Sequence, residues 1–101
     1  MKICIAQTRP VKGDIEANIV DHINWINQAV NQNADFIIFS ELSLTGYEPE
    51  LAKELAIEIG DTRLNGFQEI SDVKDIIICV GVPTKAKNGT CISLVIFQPN
   101  K

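Results

Sequence analysis

Phe36-Ile37-Ile38-Phe39-Ser40-Glu41-Leu42-Ser43-Leu44-Thr45-Gly46-Tyr47 decides the reading of this chain. A short apolar run bounded by turn residues reads as a buried strand. The run stops abruptly at Glu41, and a glycine-containing turn follows. Open α/β sheets carry their functional groups just past the carboxyl ends of strands, which is where Glu41 would stand. Burial there would disfavour the charged carboxylate and suit it to general-base work. A base also needs a nucleophile to activate and a group to hold developing charge, and neither is recognisable after it.

Upstream, Lys2 to Gln7 is apolar on both alternating faces, the pattern of a strand covered on both sides. Thr8 to Gly13 reads as a loop, and Asp14 suits a helix N-cap. Ile15, Ile19, Ile23, Ile26 and Val30 draw one stripe at the helical period, which predicts a helix over 15–31. Glu16, Asp21, Asn24, Asn27, Gln28 and Asn31 fall mostly on the other side. Trp25 lies at the edge of the stripe, partly packed, and His22 is read as an exposed or boundary residue. Residues 2–39 have the size of a βαβ unit, with a right-handed crossover and parallel strands.

Downstream, Thr45 to Pro49 is turn-like and residues 50–58 have helical composition, with Pro49 suited to the first helical position. Glu48 reads as a solvated acid near that helix start. Gly60 breaks the helix, 61–70 holds a second short one, and Asp75 to Val82 is a third strand. Asn88-Gly89 favours a type I′ turn joining antiparallel strands. A tight turn there sets Lys87 opposite Thr90, Val82 opposite Val95 and Val80 opposite Phe97. Pro83 lacks an N–H, so a bulge or irregular edge is expected near it. Cys91 to Phe97 is the last strand. The elements add up to an α/β domain with a mostly parallel sheet, a terminal antiparallel hairpin and helices on at least one face.

The chain has 101 residues, 46% of them hydrophobic, the size and composition of one globular domain. Nine basic and thirteen acidic residues leave a net charge of −4, scattered without runs. That balance argues against nucleic acid and against an anionic membrane surface, both of which need a basic patch. No apolar run approaches bilayer length, and the segment at Ile3 is too short for a signal-peptide core, so a cytoplasmic protein is expected. Cys4, Cys79 and Cys91 each lie in an apolar strand-like run and read as buried, reduced thiols. With no Cys-x-x-Cys spacing and a single histidine, no metal or other cofactor is implied.

Several blocks together resemble a known family. They are Ile5-Ala6-Gln7, Gly13-Asp14-Ile15-Glu16-Ala17-Asn18, the Glu41 block with Gly46 and Tyr47, Val80-Gly81-Val82-Pro83, Ile92 to Phe97, and Gln98-Pro99-Asn100. The chain is similar over its whole length to the N-terminal part of the nitrilase superfamily, the carbon–nitrogen hydrolases. The resemblance implies one unit over residues 1–101, truncated, and part of a nitrilase-type αββα sandwich. It also implies hydrolysis of non-peptide amide or nitrile bonds by a glutamate, a lysine and a cysteine. Glu41 matches the glutamate that serves as general base. The family's lysine and cysteine lie beyond the Gln98-Pro99-Asn100 turn, and Cys4, Cys79, Cys91, Lys85, Lys87 and Lys101 carry no matching motif. The chain alone is therefore expected to be inactive, and a second chain could supply the missing pair. The substrate implied for the complete enzyme is a small amide or nitrile, with amides preferred.

Tyr47 is either a substrate-pocket residue or a packed turn tyrosine. Gly46 supplies backbone freedom in the turn. A non-catalytic α/β binding or scaffolding module, with Glu41 as a structural acid, is the alternative to the hydrolase. In either case a sheet face left bare, and an open edge at Ile92 to Phe97, predict self-association.

Overall fold

The computed structural model describes residues 1–48 and 50–100. Pro49, read as a first helical position, and Lys101 lie outside the described residues. Strands β1 (Ile3–Ala6), β2 (Phe36–Phe39), β3 (Ile77–Ala86) and β4 (Gly89–Phe97) form one sheet in that order. β1, β2 and β3 run parallel, and β4 returns antiparallel to β3. Helix α1 (Ile15–Asn31) connects β1 to β2. The connection from β2 to β3 holds α2 (Ala52–Leu55), a 3₁₀ turn (Thr62–Leu64) and α3 (Asn65–Lys74).

Both parallel connections step the same way along the sheet. Crossovers of one hand stepping one way must land on one face. The core agrees: Ile15, Ile26 and Ala29 of α1 cluster with Leu64, Phe67, Ile37, Phe39, Ile78, Val80 and Val82. The opposite face carries Ile5, Ile38, Cys79 and Ile96 in one row across the four strands. Ile3, Ile5, Ile92, Leu94 and Ile96 on that face are 48–76% exposed. β1 is therefore covered on one side and not on both, because α1 and α3 pack on the other face.

α1 spans the residues expected from its periodicity, and the Asp14 carboxylate accepts the Ala17 N–H at 3.0 Å. Its buried line, however, is Ile15, Asn18, His22, Ile26 and Ala29. Ile19, Ile23 and Val30 flank that line and are partly buried. His22 is thus no boundary residue; it is 1% exposed. Trp25 sits at the edge, 40% exposed, as expected.

Four further expectations change. The helix expected over 50–58 shrinks to α2, because Ile57 is drawn alongside β3. The Ile57 N–H donates to Pro83 O at 3.0 Å, and the Lys85 N–H donates to Ile57 O at 2.9 Å. In the hairpin, Ala86 faces Gly89, Val80 faces Val95 and Val82 faces Ser93. The turn is Lys87-Asn88, and neither residue has the positive φ that type I′ requires. This slip of two residues leaves every side chain on its expected face, since the strand period is two. Pro83 makes no bulge. Its carbonyl faces Ile57, and the nitrogen of the same residue shares that edge, so β4 never asks it for an N–H. Finally, Cys79 is buried, but Cys4 is partly exposed and Cys91 is exposed on β4.

Candidate active site at the end of the second strand

Glu41 enters a tight turn at the carboxyl end of β2. The turn closes on itself: Ser43 N–H donates to Ser40 O, and the N–H groups of Thr45 and Gly46 donate to Leu42 O. Leu42, Ser43, Leu44 and Thr45 are buried beneath it while Glu41 is exposed. Leu42 holds φ +55°, a left-handed conformation that costs a non-glycine residue about 1–2 kcal/mol. Gly46 takes φ +82°, which explains glycine there.

The turn lies directly on β3 at Gly81. A Cβ at Gly81 would stand 2.5 Å from Ser40 O and 3.0 Å from Glu41 C, and would also collide with Leu42 N. Glycine is needed because backbone meets backbone at this crossing. Leu44 N–H donates to Gly81 O at 2.9 Å, and Gly81 N–H donates to Ser43 Oγ at 3.1 Å.

Behind the turn stands His22. Its Nδ1 is 2.7 Å from Asn18 O and its Nε2 is 2.9 Å from Ser43 Oγ. A carbonyl can only accept, so Nδ1 carries the proton, and a neutral ring then accepts the Ser43 hydroxyl proton at Nε2. Burial pushes the His22 pKa down to about 4, against smaller raising effects of the Asn18 carbonyl and the Asp21 charge. The ring stacks on Phe39 with centroids 4.1 Å apart. Asn18 completes the support: its Nδ2 donates to Leu44 O at 2.8 Å and to Val11 O at 2.9 Å. Sequence reasoning misses Asn18, His22, Ser43 and Gly81. A glycine inside a strand does signal close backbone approach. Polar residues on a buried helix line give no such signal.

Glu41 borders a depression of about 290 Å³ on the open sheet face, with Ile38, Gly81, Ile92 and Leu94 around it. Glu41 therefore borders a concave part of the surface but is exposed, and the burial expected for a working base is not provided by this chain. The ion pairs among the described residues involve Glu48 with Lys12, Asp61 with Arg63 and Glu58 with Lys85, not Glu41. The Lys12 contact at 3.0 Å also shows that Glu48 is paired, and not a freely solvated acid. Tyr47 is 71% exposed and is not among the residues lining the depression. Cys79 does not line it either, and burial raises its thiol pKa, away from the reactive thiolate. A larger hollow of about 460 Å³ at the start of α1 mixes Lys12 and Arg63 with Asp14, Glu16 and Glu54, and no thiol or histidine borders it. Among the described residues no group of three or more His, Cys, Asp or Glu is placed to hold a metal. No helix of the described residues is long and apolar enough to cross a membrane.

The family profile described as carbon-nitrogen hydrolase matches residues 2–101. The chain belongs to the carbon–nitrogen hydrolases. It is 36% identical over 90 residues to the glutamine-dependent NAD(+) synthetase of Acinetobacter baylyi, covering 87% of this chain and 16% of that protein. The glutamine-dependent NAD(+) synthetase of Thermotoga maritima is 36% identical over 50 residues, or 50% of this chain and 9% of that one. The chain thus spans a small fraction of the length of the curated relatives it matches. The synthetase of Acinetobacter baumannii, solved with ADP, superposes on 95% of this chain and 18% of its own, with TM-score 0.73 and 32% identity. An amidase from Nesterenkonia sp. shares the fold over 95% of this chain and 37% of its own, with TM-score 0.76 and 20% identity. This carbon–nitrogen hydrolase chain therefore carries a nitrilase-type sheet with its helices on one side.

Proposed function

We propose that the chain is the N-terminal portion of an amide-hydrolysing domain in a longer enzyme, with Glu41 as its general base. The observation that carries the reading is the placement of Glu41: an acid at the end of a parallel strand, on the wall of a depression, on a turn clamped to Gly81. In the complete enzyme Glu41 would take the proton of a cysteine thiol, and later activate the hydrolytic water. The cysteine and the charge-stabilising lysine would come from sequence outside this chain. That same sequence, laid over the open face, would bury the carboxylate. Tyr47, at the far end of the same turn, is the residue we assign to substrate contact. A primary carboxamide is the substrate class we favour, with the side chain of glutamine first, since both curated relatives are named glutamine-dependent. For the chain by itself we propose no hydrolysis, and self-association through the open face.

The test is ammonia release from glutamine and from simple primary amides by the longest natural reading frame that contains the chain. Glu41→Gln is expected to lower kcat at least about a hundredfold, the range ascribed to a positioned base, with circular dichroism unchanged. The 101-residue chain should release none. Survival of the rate in Glu41→Gln, or a longer frame that lacks both a lysine and a cysteine motif, would overturn the reading.

A further inference from the structure

We infer that His22 is a positioning residue for Glu41, acting through Ser43 and the backbone of Gly81. The inference rests on the reading of Glu41 as a base. Neither His22 nor Ser43 can touch a substrate, since they are 1% and 0% exposed. Their hydrogen bonds nevertheless run in a line from the middle of α1 to the turn that carries the acid. His22 Nδ1–H is tied to Asn18 O, so the ring cannot rotate away. Its Nε2 then accepts a hydrogen bond from the Ser43 hydroxyl and so orients it. With its proton directed at His22, the Ser43 oxygen accepts the Gly81 N–H, a donor on the β3 edge that β2 leaves unmatched beyond Cys79.

The arrangement has a geometric purpose. β2 pairs with β3 up to Ile38 opposite Cys79, and two residues later the same edge of β3 presents Gly81. Ser43 and Leu44 satisfy the N–H and C=O of Gly81 in place of a further strand residue. Two bonds to one glycine fix where the turn sits along β3, and thus where Glu41 sits over the depression. A serine free to choose other rotamers would hold that register less tightly. The stacked, singly protonated histidine removes the choice. Misplacing a reacting group by about 1 Å can lower a rate about a hundredfold, so a loosened turn would be felt in catalysis before it was felt in folding.

The experiment uses the full reading frame and four variants. Ser43→Ala removes the relay atom. His22→Phe keeps the ring stack on Phe39 and offers no acceptor, whereas His22→Gln keeps an acceptor near the Nε2 position and loses the stack. The fourth variant is the double His22→Phe/Ser43→Ala. Ser43→Ala and His22→Phe should each lower kcat for ammonia release about tenfold to a hundredfold with KM within about twofold. His22→Gln should retain more of the rate than His22→Phe, and the double variant should be no worse than the worse single one, as for residues acting in series. In parallel, amide hydrogen exchange at Leu44 and Gly81 should speed up in both single variants, while the amides of the β1–β2 ladder stay unchanged.

A rate in His22→Phe equal to that of the parent, or losses that multiply in the double variant, would overturn the inference. So would exchange at Leu44 and Gly81 no faster than in the parent. The Glu41→Gln control separates the two readings. If that variant keeps its rate, the base assignment falls, while exchange at Leu44 and Gly81 still decides whether His22 holds the turn.

Discussion

At the scale of single residues, the buried histidine makes the chain acid-sensitive. The unfolded chain takes up a proton on His22 near pH 6.5, and the folded chain does so at about 4. Between those values the unfolded state binds more protons, so stability falls as pH drops. The full effect is about 3 kcal/mol, lost between pH 6.5 and about 4 and present above it. Denaturant titrations at pH 7 and pH 5 should show the loss in the parent, and His22→Gln should flatten the dependence in that window. A parent whose stability is level from pH 7 to pH 5 would contradict a buried neutral ring. Glu41 is legible in the sequence because the apolar run and the acid that stops it are neighbours in the chain, so strand, strand end and carboxylate are read together. His22 is not, because amphipathic reasoning assigns a polar helix residue to the wet side. What reverses that assignment is a partner 21 positions away, Ser43, and no local pattern announces it.

At the scale of elements, α1 is legible from end to end. Its apolar period fixes the span and its Asp14 cap fixes the start, and the structure keeps both, although the fully buried line is turned toward Asn18 and His22. Asp14→Ala is expected to cost about 1 kcal/mol, read as a lower thermal midpoint, since it leaves the Ala17 N–H without its carboxylate. The segment after the Glu41 turn is less legible. Residues 50–58 have helical composition, yet Ile57 is worth more as a partner of β3, where it is 3% exposed, than as another helical turn. Tertiary pairing overrides propensity there. The hairpin slips for a different reason: Asn88-Gly89 marks the turn correctly, but the loop centre falls one residue earlier. Gly81 offers the sharper test of packing. Gly81→Ala would drive a methyl group into the Ser40–Leu42 backbone, an overpacking that costs about 1–3 kcal/mol. For a domain of this length that lowers the thermal midpoint by at least about 4 °C. A midpoint equal to the parent's would mean the turn does not rest on β3.

At the scale of the whole molecule, the radius of gyration is 13.1 Å, about that of a packed domain of 100 residues. The bare apolar face therefore does not come from loose packing; it comes from α1 and α3 covering the same side. Sedimentation velocity should show the chain associating as its concentration rises, and Ile5→Lys with Leu94→Lys, two residues 76% and 48% exposed on that face, should reduce the association. A monomer at every concentration would contradict it. The strand order has a kinetic consequence as well. The β3–β4 pairing closes across two residues, and hairpins of that kind form in about 1–10 μs. The parallel pairings must first close whole crossovers, which is slower. Synthesis runs the other way: the slow partners emerge first, and the quick one emerges last. At typical elongation rates the roughly 60 residues from the end of β2 to the end of β4 take about 3–12 s to appear. During those seconds the nascent Ile-rich strands have no fast-forming neighbour, so a chaperone that holds apolar segments near the ribosome should raise the yield of this chain more than it raises the yield of a helical bundle of equal size.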